Sequence, residues 1–451
     1  MAFWLAALKV VRIGLAMSCA LLALVRPSAA SEYDCHNLVR VAGQPLIEGS
    51  NGFFFRTVPD LTEHFPLGER TVTLMKALSS ALAARGTQLV YVPIPAKGSV
   101  SGPFLPSTEI EGMFDQSLAL HSYGAFVATL RAAGIIAVDV ATAINAKPGE
   151  PPAFLGADHH WTSDGARRAA RAVAAAMKPL PAYQKLSKSA FESVSIGAVK
   201  IASSMRRSIQ AACRSPLPAN ETAGYETNLA GQKSDEQPVD LFGETPSGGH
   251  IALAGTSFSD IEAINFGGFV SEYSGLDVTN LAISGGNQFV SIQSYLTSKQ
   301  FADDPPDFLV WENPIYNNIG EFGDAPLLEL IAAASTACSL GGGQSEQAIR
   351  AQGGTAAIDS SQFPASDGHL HFLAIDAHDR GITAISVDLA YGDGSHETLN
   401  VSRHERFVAN GRFFIPLPDD LAGVKSAVVK ANGKLSETSA ITLCNYALTE
   451  G

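Results

Sequence analysis

Short, mostly apolar runs that alternate with amphipathic stretches constrain the fold of this chain more than any other feature. The clearest run is Gln88–Ile94, and similar runs occupy residues 135–140, 251–254, 278–283 and 308–311. Such runs are typical of strands buried on both faces of a parallel sheet. The stretches with helical periodicity include the one that carries Leu74, Leu78 and Leu82, residues 114–133 and residues 166–177. The alternation predicts an α/β fold built on a doubly wound, mostly parallel sheet.

The character of the sequence changes after residue 338. Residues 340–343 (Leu-Gly-Gly-Gly) have the composition of a flexible linker. Beyond them, apolar and polar residues alternate over residues 384–391, and Asn410-Gly411 predicts a hairpin turn between two apolar runs. We therefore expect an α/β domain at residues 31–338 and a smaller C-terminal β-sandwich domain at residues 339–451.

The first thirty residues have the composition of a secretory signal peptide. Lys9 and Arg12 supply a positive n-region, residues 13–25 an apolar h-region, and Ser28-Ala29-Ala30 a small-residue cleavage site. The apolar run is too short for a convincing membrane span, and no later run is long enough for one. The sequence predicts export to the periplasm, cleavage near Ala30 and no transmembrane segment in the mature chain.

Four cysteines follow the signal peptide: Cys35, Cys213, Cys338 and Cys444. An even number in an exported chain predicts disulfides, which an oxidising compartment maintains. Three pairings are possible, and the spacing favours Cys35–Cys213 and Cys338–Cys444, each closing one domain. Cys213 lies in the polar stretch 202–249, which predicts a long surface excursion tied down by its bridge. Neither a Cys-x-x-Cys pair nor a His/Cys cluster with zinc spacing is present, so we expect no metal and no cofactor.

The formal net charge of the chain is −13 at pH 7. A strongly acidic protein repels nucleic acids and anionic membrane surfaces, so neither is expected as a default partner. A local basic groove is still compatible with this total.

Gly255-Thr256-Ser257 directly follows the predicted strand at residues 251–254. Glycine and small residues permit a tight turn there, and the polar residues after it can cap a helix. A serine on a strand-to-helix turn projects from the sheet beside backbone N–H groups that bind an anion, which suits a nucleophile. An ordinary strand–loop–helix joint with a capping serine predicts the same residues, so the turn alone leaves both interpretations open.

Asp158-His159-His160-Trp161 is the second informative stretch. Residues two apart project to the same side only in extended or turn backbone, so Asp158 can orient the His160 imidazole if a loop precedes the next helix. A carboxylate on one ring nitrogen fixes the tautomer and leaves the other nitrogen to take a proton from a serine. A polar loop before a capped helix, with Trp161 in the core, is the alternative interpretation.

Taken together with the signal peptide, these stretches resemble the SGNH-like, DHHW-motif acetyltransferases of the AlgX/AlgJ type, which are periplasmic alginate O-acetyltransferases. The resemblance covers nearly the whole mature chain, and its motifs appear in the expected order. They are Asn51-Gly-Phe-Phe-Phe-Arg56, Val92-Pro-Ile-Pro-Ala-Lys97, Asp158-His-His-Trp161, Gly255-Thr-Ser-Phe-Ser259 and Trp311-Glu-Asn-Pro314. The C-terminal β-module and the cysteine pair that brackets it make the AlgX branch, with its carbohydrate-binding module, the closer match.

The resemblance implies an SGNH-hydrolase-like fold and a Ser-His-Asp triad. Ser257 would be the acyl-accepting nucleophile, His160 its general base and Asp158 the carboxylate that orients the base. The nucleophile would take an acetyl group from an ester or thioester and pass it to a sugar hydroxyl.

Other residues of the predicted site have weaker support from the sequence. Tyr316 matches a family tyrosine near the active site, where its hydroxyl could donate to an oxyanion, although core packing is an equal alternative. Gly286 and Asn287 are further oxyanion candidates, but Gly-Gly-Asn is also ordinary turn chemistry. The family motif selects the second histidine as the base, so we interpret His159 as structural.

The implied acceptor is an exopolysaccharide, alginate or a similar uronic acid polymer, and the implied donors are membrane or periplasmic acetylation partners. Arg403, Arg406, Arg412 and Lys425 are candidate polymer-binding residues, because arginine pairs with carboxylates through two hydrogen bonds. A solvated face of the sandwich is an equally good interpretation of these cations. The module has no tryptophan, so an aromatic sugar platform would have to use phenylalanine or Tyr391.

Two other functions use the same residues. A secreted carbohydrate esterase would release the acetyl group to water with the same triad. A non-catalytic polymer-binding scaffold of an export complex would retain the fold and the C-terminal module without the chemistry.

Overall fold

A computed structural model describes residues 31–106, 113–231, 249–335, 348–349, 351–363, 369–418, 421 and 423–446. The predicted signal peptide, Cys338, the predicted linker and the predicted domain boundary lie outside the described residues and stay predictions. Within the described ranges, no helix is both long and apolar enough to cross a membrane.

The strands of the first domain are β1 (Leu46–Glu48), β2 (Phe54–Arg56), β3 (Gln88–Ile94), β4 (Ile136–Ala137), β5 (Phe191–Lys200), β6 (Glu221–Leu229), β7 (His250–Ala254), β8 (Asp277–Asn280) and β9 (Phe308–Pro314). Its helices are α1 (Glu69–Ala84), α2 (Lys97–Val100), α3 (Gln116–Ala132), α4 (Val140–Ile144), α5 (Ser163–Met177), α6 (Pro181–Lys185), α7 (Ser204–Ala212), α8 (Ser257–Asp260), α9 (Phe266–Ser274), α10 (Val290–Leu296), α11 (Lys299–Asp303) and α12 (Ala325–Ala334). The C-terminal strands are β10 (Ala348–Ile349), β11 (Ala351–Gln352), β12 (Thr355–Asp359), β13 (Leu370–Asp376), β14 (Ala384–Tyr391), β15 (His396–Ser402), β16 (Arg412–Pro416), β17 (Val424–Ala431) and β18 (Ala440–Tyr446).

A parallel sheet forms the centre of the first domain, with strand order β4-β3-β9-β7-β8. Strand β4 pairs with β3 at one edge of the sheet, and β9, β7 and β8 lie in that order on the other side of β3. Strands β3 and β9 are buried almost throughout, as their continuous apolar runs predict. The doubly wound α/β fold is therefore confirmed, and the carboxyl ends of β3, β7 and β9 lie at one edge of the sheet.

The apolar faces of the helices follow the predicted periodicity. Helix α1 buries Leu74, Leu78 and Leu82 on one side and packs against β3 and α12. Helices α5 and α9 pack against each other, and Thr162 caps α5 by accepting the N–H of Gly165. These contacts enclose one large apolar core around the sheet.

One strand is much shorter than its apolar pattern predicts. Of residues 135–140, only the two residues of β4 pair with β3. The side chain of Asp139 accepts the N–H of Thr142 and so caps α4. The cap turns the chain into a helix where apolar residues alone would have extended the strand.

The polar stretch 202–249 contains regular structure that its composition does not reveal. Its described part includes α7 and β6, and β6 pairs with β5 in a two-stranded antiparallel sheet. Most residues of β5 are exposed, including Val194 and Ile196, so the apolar residues that alternate along this strand do not mark a buried face. The predicted Cys35–Cys213 disulfide is confirmed, and it joins the N-terminal segment to the end of α7.

The C-terminal domain is the predicted β-sandwich. Its two antiparallel sheets have the orders β10-β18-β13-β16 and β11-β12-β17-β14-β15. Alternate residues of β14, among them Val387 and Leu389, meet Leu373, Ile375 and Ile415 of the other sheet in a second apolar core. The opposite face of the first sheet contributes to the core of the α/β domain through side chains that include Phe372, Ala374 and Phe414.

Asn410-Gly411 does not form the hairpin turn that its sequence predicts. The strands on either side, β15 and β16, lie in different sheets, and the β14–β15 hairpin turns at residues 392–395 instead. The Asn410 amide donates to Thr297 Oγ1 at the end of α10, 2.8 Å away. Gly411 has a φ of +73°, and a Cβ there would lie 2.6 Å from the carbonyl oxygen of Asp379. This dipeptide therefore docks the sandwich on the α/β domain.

Two of the four candidate polymer-binding residues are used in the same interface, which corrects the prediction for them. Both oxygens of the Glu329 carboxylate bond the Arg403 guanidinium, at 2.7 and 2.9 Å, and both side chains are about 5% exposed. Arg412 is buried, donates to the carbonyl oxygen of Thr297 and lies 3.5 Å from Asp376. Both guanidinium groups are therefore engaged by buried partners at the interface and are not free surface cations.

Replacing Arg403 with alanine should destabilise the protein by about 3–5 kcal/mol, because the Glu329 carboxylate would remain buried without its cation. The matched control is Arg406→Ala, since Arg406 is 62% exposed, and a change within about 0.5 kcal/mol is expected there. Urea unfolding of both variants measures the difference. Equal losses in the two variants would contradict an anchoring role for Arg403.

Candidate active site

The structure brings Ser257, His160 and Asp158 together at the carboxyl edge of the sheet. Ser257 Oγ lies 2.8 Å from His160 Nε2, and His160 Nδ1 lies 2.6 Å from Asp158 Oδ1. With the Asp158 carboxylate accepting the Nδ1 proton, Nε2 is left as the acceptor for the Ser257 hydroxyl. The arrangement can therefore activate a serine for nucleophilic attack.

The serine stands on a sharp turn between β7 and α8. Thr256 has extended backbone, and its hydroxyl caps α8 by accepting the N–H of Phe258. A Cβ on Gly255 would lie 2.5 Å from a carboxylate oxygen of Glu312, so only glycine lets the turn approach β9 this closely. These contacts hold Ser257, which is half-buried, at the N-terminus of the short helix.

The loop that carries His160 is fixed at both of its ends. Asp158 Oδ1 accepts the backbone N–H of His160 at 2.8 Å as well as the ring N–H. Trp161 donates from Nε1 to the carbonyl oxygen of Phe258, 2.8 Å away, and so ties this loop to the serine turn. The spacing of two between Asp158 and His160 therefore lets one carboxylate hold both the backbone and the ring of the histidine.

Ser203 is a partner of Asp158 that the sequence did not indicate. Its hydroxyl donates to Asp158 Oδ2 and also caps α7. Burial by itself would raise the pKa of Asp158, but the hydrogen bonds from His160 and Ser203 and the charges of the two histidines hold the pKa below its usual value. Asp158 therefore stays ionised beneath the imidazole.

Lys97 is a second residue that sequence reasoning did not identify. Its Nζ donates to three carbonyl oxygens, those of Phe54, Gly156 and Asp158, at 2.6–2.8 Å. The bonds join β2 to the loop that carries Asp158, and all three ammonium protons are used. Lys97 therefore sets the height of the Asp158 loop above the sheet.

Burial lowers the pKa of Lys97 to about 7, and the nearby carboxylates of Asp60 and Asp158 oppose the shift. A lysine that ends the apolar motif Val92-Pro-Ile-Pro-Ala-Lys97 is the only sequence signal for this role. Nothing in that pattern identifies the carbonyl groups that the lysine meets, because they come from two other segments.

His159 lies beside the predicted base and faces a cavity. Its ring centre is 4.0 Å from that of His160, and its side chain is 25% exposed. Burial, together with the charges of His160 and Arg56, lowers the pKa of His159 to about 3. The neutral ring lines a cavity of about 260 Å³ that also contacts Arg56.

Tyr316 lines a neighbouring cavity of about 400 Å³, where its described partner is Arg56. The Arg56 guanidinium stacks on its ring at 4.9 Å and also bonds the Asp60 carboxylate. Burial raises the pKa of Tyr316, and Arg56 opposes the shift. The two cavities share Arg56 and Gln44, so they form neighbouring parts of one surface depression beside His159.

Gly286 and Asn287 lie in the loop after β8. The loop is held against the serine turn by a hydrogen bond from the N–H of Ile283 to the carbonyl oxygen of Gly255. Asn287 has left-handed backbone, with a φ of +53°, and its side chain accepts the N–H of Phe289. Their backbone geometry is that of an Asx turn, and their roles as oxyanion donors stay predictions.

Asp158, His159 and His160 are also the residues, within the described part of the chain, that are best placed to hold a metal ion. Their ligand atoms lie within 4.8 Å of one another. An ion there would compete with the bond between Asp158 Oδ1 and His160 Nδ1. The existing hydrogen bonds match the orientation of a general base better than a coordination site.

A family model described as the SGNH hydrolase-like domain of acetyltransferase AlgX matches residues 46–315. The alginate biosynthesis protein AlgX of Pseudomonas aeruginosa is 29% identical over 397 residues, which cover 87% of this chain and 81% of that protein. A probable alginate O-acetylase AlgJ of Pseudomonas fluorescens is 30% identical over 277 residues, 59% of this chain and 67% of its own length. The solved structure of Pseudomonas aeruginosa AlgX superposes with a TM-score of 0.72 at 25% identity, covering 93% of this chain and 97% of that one.

Replacing Lys97 with methionine should cost at least about 2 kcal/mol of stability, because three buried carbonyl groups lose their donor. The control is Lys185→Met, since Lys185 is exposed at the end of α6, and its effect should stay within about 0.5 kcal/mol. The measurement is the free energy of unfolding from urea titrations. A Lys97 variant as stable as the control would show that water or rearrangement satisfies these carbonyl groups.

Proposed function

Since the chain belongs to the family of SGNH hydrolase-like acetyltransferase domains of the AlgX type, we propose that it O-acetylates an exopolysaccharide through an acetyl-serine intermediate on Ser257. The relatives are named for alginate biosynthesis and alginate O-acetylation, so the proposed acceptor is alginate or a similar uronic acid polymer. The observation that carries the proposal is the hydrogen-bonded chain from Ser257 through His160 to Asp158.

In the first step, Ser257 Oγ attacks the carbonyl carbon of the acetyl donor while His160 Nε2 takes the hydroxyl proton. The ionised Asp158 stabilises the imidazolium that forms. The N–H of Ser257 has no acceptor among the described contacts and lies at the start of α8, which makes it a donor for the oxyanion. As the tetrahedral intermediate collapses, His160 returns the proton to the leaving group and acetyl-serine remains.

In the second step, a sugar hydroxyl attacks the acetyl-serine while His160 takes the hydroxyl proton. The bond between the acyl carbon and Ser257 Oγ then breaks, His160 returns the proton to Ser257 Oγ, and the acetylated sugar leaves. Water competes for the same intermediate at its bulk concentration, so efficient transfer requires an acceptor held in near-attack geometry. The depression lined by His159, Arg56, Gln44 and Tyr316 adjoins His160 and supplies a surface for that purpose. Arg406 and Lys425 are exposed on the sandwich and remain available to a polyanion.

The proposed location is the periplasm. The Cys35–Cys213 disulfide favours an oxidising compartment, and the AlgX relatives agree with export. The proposed source of the acetyl group in that compartment is a membrane or periplasmic acetylation partner.

Ser257→Ala and His160→Ala should each lower acetyl transfer by at least about 10³-fold, because the triad acts as a unit. Binding of de-acetylated oligouronates should stay unchanged, since neither side chain is needed to hold the polymer. Mass spectrometry after brief exposure to an acetyl donor should find acetyl on the Ser257 peptide of the wild type. Unchanged acetylation of polymer in cells that carry Ser257→Ala would favour a scaffold instead.

A comparison with and without acceptor separates the transferase from the esterase. We expect de-acetylated oligouronates to accelerate loss of the acetyl donor and to carry the acetyl group afterwards, because the bound sugar outcompetes water. Donor consumption and the acetylated product are followed together by chromatography. Equal donor loss in both arms, with free acetate as the sole product, would identify an esterase.

A further inference from the structure

Glu312 is a fully buried carboxylate directly beneath the serine turn. It lies on β9, between β3 and β7, in the motif Trp311-Glu-Asn-Pro314. Its Oε2 accepts the backbone N–H of Thr256 at 2.8 Å and the hydroxyl of Ser259 at 2.9 Å. The hydroxyl of Thr256 lies 3.0 and 3.2 Å from its two oxygens.

These bonds bracket the proposed nucleophile. Thr256 precedes Ser257 by one residue and Ser259 follows it by two, so one carboxylate holds the chain on both sides of the reacting serine. The absence of a side chain on Gly255 lets the carboxylate approach the backbone, since a Cβ there would lie 2.5 Å from Oε2. The contacts therefore fix the direction in which Ser257 Oγ and Ser257 N–H point.

The donors to Glu312 are neutral, and no ion pair to it is present among the described residues. Burial raises the pKa of Glu312 to about 7, and the hydrogen bonds from Thr256 and Ser259 limit the shift. The titratable side chains coupled to it on neighbouring elements are Tyr91 on β3 and Tyr316 after β9. Both tyrosines have raised pKa values and stay uncharged, so they do not compete with its titration.

We propose that Glu312 is a positioning residue whose ionised carboxylate holds the serine turn in its reactive conformation. This inference rests on the proposed role of Ser257 as nucleophile. A carboxylate accepts every donor that surrounds it, whereas a protonated carboxyl must donate one hydrogen bond itself. Protonation therefore forces the hydroxyl of Thr256 or Ser259 to turn round, and the Thr256 hydroxyl also caps α8.

The test compares wild type with Glu312→Gln across pH, using the burst of para-nitrophenolate from para-nitrophenyl acetate as the acylation rate. The ratio of the two rates reports the effect of the Glu312 carboxylate, because the triad is the same in both proteins. We expect wild type to be about 10- to 100-fold faster at alkaline pH, where its carboxylate is ionised. The ratio should fall towards a low plateau as the pH drops through about 7.

The matched control is Glu262→Gln, because Glu262 is exposed just beyond the same turn. It should give a ratio near one at every pH. A ratio of wild-type to Glu312→Gln burst rates that equals one, or that does not change with pH, overturns the proposal. A residue with only a structural role would change the rate by the same factor at every pH.

Ser259→Ala keeps the inference testable if Glu312→Gln does not fold. Removing this donor should raise the pKa of Glu312 and move the acidic limb of the burst rate to higher pH. If the acidic limb does not move in a folded Ser259→Ala protein, the proposal is overturned.

The Ser257→Ala variant distinguishes failure of this proposal from failure of the proposed function. A burst that persists in Ser257→Ala refutes the proposed function. A burst that requires Ser257, together with a pH-independent rate ratio for Glu312→Gln, refutes only the role of Glu312.

Discussion

The proposed catalytic arrangement depends on the buried carboxylate of Asp158, which accepts enough hydrogen bonds to remain ionised. Asp158 accepts the ring and backbone N–H groups of His160 and the hydroxyl of Ser203. The carbonyl group of the same residue is held by Lys97. An isolated carboxylate at this depth would take up a proton and could no longer orient the imidazole. The hydrogen bonds that position Asp158 are therefore the same ones that keep it ionised.

The remaining parts of the site follow from the parallel sheet. Lys97, Ser257 and Glu312 are far apart in the chain, but each lies at or just beyond the carboxyl end of β3, β7 or β9. Parallel strands bring these ends to one edge, where ligand sites of open α/β sheets are found. The fold thus places the proposed nucleophile, a carboxylate beneath it and the anchor of the histidine loop within one small region.

The sequence was sufficient for the features that depend on local pattern. Continuous apolar runs predicted the sheet, and alternation predicted β14 and the sandwich. The pairing of β5 with β6 was not predicted, because α7 separates the two strands in the chain and the alternating apolar residues Val194 and Ile196 are exposed. Arg403 and Arg412 looked like surface cations, since only tertiary structure supplies the buried carboxylates beside them. Lys97 was missed for the same reason, because its three acceptors are backbone groups that any sequence would provide.

The sandwich is joined to the α/β domain as part of its core and not as a tethered appendage. One face of its first sheet fills its own interior, while Phe372, Ala374 and Phe414 on the other face enter the apolar core of the first domain. Cutting the two domains apart would expose both surfaces to water, so we expect them to melt as one cooperative unit. If the sandwich binds the proposed polymer, the fixed domain arrangement holds that polymer at a constant distance from Ser257, and this distance would determine which sugars along the polymer are acetylated.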